Sequence, residues 1–70
     1  MIQGKVKSLV PAKGFGFLIG DDGNEHFFHV SNTPDFDHLV IGDRVTFDIG
    51  KSRDGRPRAT RVAVVRRAAP

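Results

Sequence analysis

Residues 13–20, with the sequence KGFGFLIG, constrain the fold of this 70-residue chain more than any other segment. Side chains alternate between the two faces of a β-strand, so Phe15 and Phe17 share one face while Gly14 and Gly16 leave the other face bare. Glycine weakens a strand interior and commonly marks tight coiling or the close approach of another backbone. The segment therefore predicts a strongly coiled strand with two phenylalanine rings on one side.

The ring pair has two interpretations at this point. Phe15, Phe17 and Ile19 can form the core face of an ordinary strand, since phenylalanine is usually buried. Alternatively, the rings are exposed and stack on nucleic-acid bases. Residues two apart along a strand are separated by roughly 6.5–7 Å, which suits successive bases of an extended single strand. The rest of the chain has to decide between them.

Composition sets limits on size and location. The chain makes one small domain, near the lower limit for a core without disulfides or metal. Cysteine is absent, which predicts no disulfide or thiolate metal site and favours the cytoplasm. The N-terminus does not resemble a signal peptide, and no apolar segment approaches the roughly 20 residues that span a bilayer.

The formal net charge of +3 is distributed unevenly along the chain. Residues 1–20 carry +3, residues 21–50 carry seven acids against one arginine for −6, and residues 51–70 carry +6. Such asymmetry favours a polyanionic partner for the two ends of the chain, although a solvated charged surface explains it equally well. Charge alone therefore assigns no function.

Alternating apolar residues predict five short strands, and no segment has the apolar spacing of a long helix. Pro11 should end the first strand, the turn formers of residues 20–24 connect the second and third strands, and Asp54-Gly55 is typical of a hairpin. The domain is predicted to span residues 1–66, with a frayed tail at residues 67–70. The predicted strands are residues 2–10, 14–19, 25–30, 44–49 and 58–65, with a loop at 31–43 that contains a helical turn near Ser31.

Five short strands in so small a domain favour an antiparallel barrel, because closure removes the exposed edges of a sheet. A small barrel coils sharply, so Gly14 and Gly16 are predicted to face its interior and the two phenylalanines to face outward. Alternation also predicts inward side chains on the last two strands, namely Val45, Phe47 and Ile49 on the fourth and Thr60, Val62 and Val64 on the fifth.

An outward ring pair places further aromatic and basic residues beside it. Antiparallel pairing of the second and third strands brings Phe27 and His29 alongside, and the first strand contributes Lys5 and Lys7. Aromatic platforms among cations are typical of single-stranded nucleic-acid binding, in which each stacked base contributes about 1–3 kcal/mol and lysines contact phosphates. The residues thus favour a binding surface over the core interpretation of the rings.

The sequence resembles the cold-shock domain family of OB-fold proteins over residues 1–65. The segment KGFGF, followed at this distance by F-x-H, is highly specific. The matching segments are Gly4-x-Val6-Lys7, Lys13-Gly14-Phe15-Gly16-Phe17, Asp22-Gly23, Phe27-x-His29-x-Ser31 and Gly42-Asp43-x-Val45-x-Phe47. The resemblance implies a five-stranded antiparallel OB-fold β-barrel that binds single-stranded RNA or DNA, as an RNA chaperone or cold-shock-type regulator.

The resemblance also implies which residues touch the nucleic acid. Phe36, in the loop before the fourth strand, resembles the family's loop aromatic that stacks a further base. Where the family has a tryptophan in the first strand, this chain has Ser8, so one outer stacking site is missing. The predicted contacts, which include Lys5 and two arginines of the basic C-terminal segment, are Lys5, Lys7, Lys13, Phe15, Phe17, Phe27, His29, Phe36, Arg56 and Arg58.

Other classes of function fit the sequence less well. An RNA recognition motif has a similar aromatic segment but needs two helices, for which the chain has no room. His26 and His29 point to opposite faces of a strand and cannot easily chelate one metal, and no nucleophile stands out beside a base. We therefore predict a monomer without catalytic activity, metal or cofactor. A basic OB barrel that binds a protein partner, or that begins a larger protein, is the alternative left open.

Overall fold

Five antiparallel strands in the spatial order β3-β2-β1-β4-β5 form the framework of the protein. The computed structural model describes residues 1–51 and 55–68. The strands are β1 Ile2–Val10, β2 Phe15–Gly20, β3 Glu25–His29, β4 Arg44–Lys51 and β5 Pro57–Arg66, and short 3₁₀ turns cover Pro11–Lys13, Val30–Asn32 and Phe36–His38. The five predicted strands are confirmed to within two residues at each end, as is the helical turn near Ser31. No helix in the described ranges is long and apolar enough to cross a membrane.

The sheet coils into a barrel whose two edge strands meet through side chains. Neighbouring strands in this order pair antiparallel along the backbone. The edge strands β3 and β5 approach each other without such pairing in the part of the chain that the structure describes. There, the guanidinium carbon of Arg58 lies 5.5 Å from the ring centroid of Phe27. The predicted all-β, antiparallel OB-fold barrel is confirmed, although its sheet is not strictly closed.

Inward side chains from all five strands fill the interior of the barrel. Phe28 and Phe47 are 0% and 1% exposed, and the ring centroid of Phe28 lies 6.0 Å from that of Phe36. Burial of each such side chain contributes about 1.5–3 kcal/mol. The remaining core residues are Val6, Leu18, Leu39, Val45, Ala59 and Val62.

Simple alternation fails at the end of β4. Val45 and Phe47 are buried as predicted, but Ile49 is 46% exposed. The reason is that β1 pairs with β4 only as far as Phe47. Beyond that residue β4 continues with β5 alone, so the side chain of Ile49 has no core to enter.

A β-bulge changes the inward face of β5. Ala59 is fully buried, three residues before buried Val62, whereas Thr60 is only half-buried. The register between β4 and β5 shifts at this point, and Arg61 has a φ of +52°. A bulge inserts one extra residue into a strand and so breaks the period of two. The buried set on β5 therefore differs from the predicted one.

Gly16 is required where β2 passes over the barrel interior. A Cβ atom at this position would lie 2.6 Å from the carbonyl oxygen of Ser8 and 2.8 Å from Cζ of Phe28. This close approach confirms that Gly16 faces inward and its chain neighbours outward. Gly14 has a different role from the predicted one, because it precedes β2, has a φ of +72° and ends the 3₁₀ turn Pro11–Lys13.

Asp43 joins the loop before β4 to the end of the chain. Its side chain is fully buried and accepts hydrogen bonds from the backbone N–H groups of Val40, at 3.0 Å, and Ala68, at 2.6 Å. The guanidinium of Arg67 lies 3.4 Å from the same carboxylate. Burial by itself would raise the pKa of Asp43, but the two hydrogen bonds and the charge of Arg67 outweigh it and lower that pKa.

Arg67 and Ala68, the first two residues of the predicted tail, are attached to the barrel. The sequence predicts fraying over residues 67–70, but Arg67 and Ala68 bind Asp43 and so belong to the folded domain. Ala69 and Pro70 lie outside the described residues. The same is true of Asp54 in the predicted Asp54-Gly55 turn, in which Gly55 has the positive φ, +84°, that such a turn favours.

Replacing Asp43 with asparagine is expected to destabilise the protein by about 1.5–3 kcal/mol at neutral pH, the range for hydrogen bonds to charged groups. Asparagine keeps only one accepting oxygen, so one backbone N–H would face an amide group that also donates. Because folding lowers the pKa of Asp43, its stabilisation is complete above the ordinary value of 3.8 and is lost as the pH falls below it. Urea unfolding at about pH 7 and about pH 3 should show a difference between wild type and variant that shrinks in acid. A difference independent of pH would contradict this role.

Candidate nucleic-acid interface

Three phenylalanine rings form one cluster on the outer face of β2 and β3. Phe17 lies opposite Phe27 in the strand pair. The ring centroids of Phe15, Phe17 and Phe27 are 5.5, 5.9 and 6.0 Å apart. All three rings are half-buried, whereas Leu18 and Phe28 on the inner face are fully buried. The rings therefore face outward, and the interpretation of this segment as an ordinary core strand is wrong.

His29 extends the cluster with a ring of fixed orientation. It lies opposite Phe15 in the strand pair. Its Nδ1 accepts a hydrogen bond from the backbone N–H of Ser31 at 3.1 Å and lies 2.9 Å from the hydroxyl oxygen of Ser31. A backbone N–H can only donate, so in the neutral ring the proton is on Nε2, which is left as a donor. We refer to Phe15, Phe17, Phe27 and His29 as the aromatic surface.

An arginine of β5 lies over one of these rings. The guanidinium carbon of Arg58 is 5.5 Å from the centroid of Phe27, within the roughly 6 Å of a cation–π contact. Arg58 is half-buried, and Arg56 is exposed just before β5 begins. The structure thus brings Arg58 to the aromatic surface from a strand that is distant from β3 in the sequence.

The three predicted lysines lie in different surroundings. Nζ of Lys7 is 3.0 Å from the carboxylate of Glu25, and both side chains are about half exposed. Such a pair contributes only about 0–1 kcal/mol, so a phosphate can replace Glu25 at little cost. Lys13 is exposed at the end of the 3₁₀ turn that leads into β2. Lys5 is also exposed, but it lies opposite Arg44 of β4 and so faces a second group of cations.

Phe36 does not belong to the aromatic surface. The sequence predicts a loop ring free to stack a base, but Phe36 is 6% exposed and packs against Phe28 in the core. The 3₁₀ turn that it begins directs the ring into the barrel. Moving it out would cost about 1.5–3 kcal/mol of lost burial. We therefore correct the prediction and exclude Phe36 from the interface.

Ser8 marks the edge of the aromatic surface on β1. It lies opposite Phe17 in the strand pair and is half-buried. An aromatic residue at this position would extend the ring cluster onto a third strand. With serine there, the rings of the aromatic surface are confined to β2 and β3.

His26 lies on the inner side of β3, away from His29. Its ring centroid is 5.0 Å from that of Phe47, and its buried Nε2 has no hydrogen-bond partner among the described residues. His26 and His29 thus lie on opposite faces of β3, as predicted. Over residues 1–51 and 55–68, no three His, Asp or Glu side chains are grouped as a metal site requires.

Residues 2–65 match the family model described as the "'Cold-shock' DNA-binding domain". The chain belongs to the cold-shock domain family. Cold shock protein 1 of Lactiplantibacillus plantarum is 44% identical to it over 64 residues, which cover 89% of this chain and 96% of that protein. The major cold shock protein of Streptococcus pyogenes serotype M6 is 38% identical over 64 residues, covering 89% and 94% of the two chains. Glycine-rich protein 2 of Nicotiana sylvestris is 40% identical over 63 residues, 86% of this chain but 29% of that protein.

Membership of the cold-shock domain family agrees with the cluster of aromatic rings on the outer face of β2 and β3. This cold-shock domain binds single-stranded nucleic acid, as a cold-shock-type regulator or chaperone. The alternative of an RNA recognition motif fails, because that fold needs two helices and the described residues of this cold-shock domain contain only 3₁₀ turns.

The cold-shock domain also has a cluster of basic side chains, most of which are not among the predicted contacts. Lys5 lines a cleft of about 300 Å³ together with Arg44, Arg66 and Arg67, and with Gly42 and Ala68. We refer to it as the basic cleft. The excess of arginine in residues 51–70 is the sequence signal for it. The position of these arginines beside Lys5 of β1 and Arg44 of β4 depends on strand register, which the sequence pattern does not predict.

Proposed function

We propose that the aromatic surface binds single-stranded nucleic acid by stacking successive bases on its rings. The observation that carries this proposal is the outward cluster of three half-buried phenylalanine rings, with centroids 5.5–6.0 Å apart. An exposed apolar patch of this kind typically marks a binding site. The cations around it are suited to the phosphates of the bound strand, and those we assign to this role are Lys7, Lys13, Arg56 and Arg58.

The geometry supports sequence-tolerant binding. Every base has a π-face, so stacking contributes about 1–3 kcal/mol per base without reading its edges. The Nε2–H of His29 is the one oriented polar donor on the aromatic surface, which allows a single hydrogen bond to a base or phosphate. Weak discrimination of sequence suits an RNA chaperone, which has to hold many different RNAs in single-stranded form.

Arg58 has to adjust when a base arrives at Phe27. Its guanidinium lies over that ring in the free protein. A planar guanidinium also stacks on bases and forms bidentate hydrogen bonds with phosphate. We therefore propose that Arg58 moves from the ring of Phe27 onto the bound strand rather than blocking it.

A labelled oligothymidine should bind this protein more tightly than a labelled duplex of the same length, because the rings need unstacked bases. Fluorescence anisotropy at two salt concentrations measures both affinities, and the label is needed because the chain has no tryptophan or tyrosine. If all four of these cations contact phosphates, the log–log slope of affinity against salt should be about −2.8, at about −0.7 per contact.

Equal or tighter binding of the duplex would contradict base stacking. Binding of an acidic protein without binding of any oligonucleotide would favour the protein-interaction alternative instead. A monomer in the cytoplasm, with no catalytic activity and no metal or cofactor, stays a prediction. Sedimentation of the free protein and of its oligonucleotide complex would test the monomer.

A further inference from the structure

Three basic side chains lie side by side on three neighbouring strands beyond the aromatic surface. Arg44 of β4 lies opposite Lys5 of β1 on one side and opposite Arg66 of β5 on the other. Like charges directly opposite each other across strands destabilise a sheet. Over residues 1–51 and 55–68, no carboxylate forms an ion pair with Lys5 or Arg66. The repulsion among these three cations is therefore unfavourable in the free protein, and a bound anion would relieve it.

Two nearby carboxylates orient guanidinium groups of the cleft without neutralising its positive charge. Nη1 of Arg44 is 3.2 Å from both carboxylate oxygens of Asp21. Nη1 of Arg67 is 3.4 Å from Asp43 and also donates to a backbone carbonyl. Each contact uses one nitrogen of its guanidinium and holds the group in place. Four cations against two carboxylates leave the basic cleft with a net charge of +2.

The basic cleft continues the outer face that carries the rings. Lys5 lies opposite Ile19 of β2, which is two residues beyond Phe17 on the same face. From β2 across β1 and β4 to β5 there are three strand spacings of roughly 4.8 Å, or about 14 Å in all. A nucleic-acid strand that stacks on the aromatic surface therefore needs only a few more nucleotides to reach the cleft.

We propose that the basic cleft binds phosphodiester groups of the same single strand where it leaves the aromatic surface. The site then runs from β3 across the sheet to β5, with Lys5 as the residue of the basic cleft on β1. Arg66, exposed and without a carboxylate partner in the described residues, makes the principal phosphate contact there. This inference rests on the proposed function and adds to it a second, purely electrostatic binding site.

The test compares oligothymidines of four and twelve nucleotides, within the roughly 4–16 nucleotides that one OB fold covers. For Arg66→Gln, we expect about three- to tenfold weaker binding of the twelve-nucleotide strand and a salt slope shallower by about 0.7. Binding of the four-nucleotide strand, held by the rings, should not change. The melting temperature should stay the same or rise, because the substitution removes a like-charge contact. Arg61→Gln is the control, since Arg61 is an exposed arginine of the same strand outside the residues that line the cleft.

Lys5→Gln provides a second variant and should weaken binding of the twelve-nucleotide strand in the same way. The proposal is overturned if Arg66→Gln changes neither oligonucleotide, or changes both equally. It is also overturned if Arg66→Gln weakens the binding of poly-glutamate alone, because the cleft would then serve an acidic protein. Failure of the proposed function has a different signature, in which Phe27→Ala leaves the four-nucleotide strand bound as before.

Discussion

Alanine in place of Phe28 is expected to lower the free energy of unfolding by about 3–5 kcal/mol, the range for truncation of a buried phenylalanine. Phe28 is 0% exposed, packs against the ring of Phe36 and passes close to Gly16. Because Gly16 has no side chain, it cannot fill the cavity that the missing ring would leave. A 70-residue domain without disulfides has little more stability than this in reserve. Urea unfolding followed by circular dichroism should show a variant that is partly unfolded even without urea.

Phe28→Leu is the matched control, since leucine keeps most of the apolar volume and should cost much less stability. If Phe28→Ala unfolds at the same urea concentration as the wild type, Phe28 does not support the core. In that case the assignment of inner and outer faces to β3 would be wrong.

Alanine in place of Phe27, the adjacent residue, should instead weaken nucleic-acid binding. We expect a loss of about 1–3 kcal/mol in affinity for a single strand, or about 5- to 150-fold, as for one stacked base. The cost in stability should be smaller, about 1–2 kcal/mol, because the ring contacts Phe15, Phe17 and Arg58 on the surface. Oligothymidine titration beside urea unfolding measures both effects in one variant.

Phe27→Leu separates stacking from packing. Leucine keeps much of the apolar contact with the neighbouring rings but offers no flat face to a base, so it should retain stability and still lose affinity. Wild-type affinity in both Phe27 variants would remove this ring from the interface. If Phe27→Ala unfolds the domain as readily as Phe28→Ala, the aromatic surface belongs to the core.

Much of the aromatic surface could be predicted because its pattern is local. Side chains alternate along any strand, so Gly16 and its two aromatic neighbours must lie on opposite faces of β2. The short turn after β2 then fixes which strand pairs with it, and this brings Phe27 and His29 beside the ring pair. The prediction that Phe15, Phe17 and both of these residues lie on one outer face is confirmed.

Phe36 shows where the local pattern stops being sufficient. A loop residue has no alternation to follow, and its burial depends on whether the barrel leaves a space for the ring. Here the end of the core beside Phe28 leaves that space. The resemblance to a family assigned Phe36 an outward role, and only packing assigned it an inward one.

The five strands, the coiling of β2 at Gly16 and the outward phenylalanines could be predicted without the structure, since these follow from the alternation and turn chemistry of neighbouring residues. The bulge at Arg61, the attachment of Arg67 and Ala68 to Asp43 and the row of cations in the basic cleft are visible only in the folded protein. Each of these depends on how residues that are far apart in the chain meet in the folded barrel, and the bulge and the row of cations depend on strand register. Register depends on how all five strands fit around one core, and no single segment contains that information.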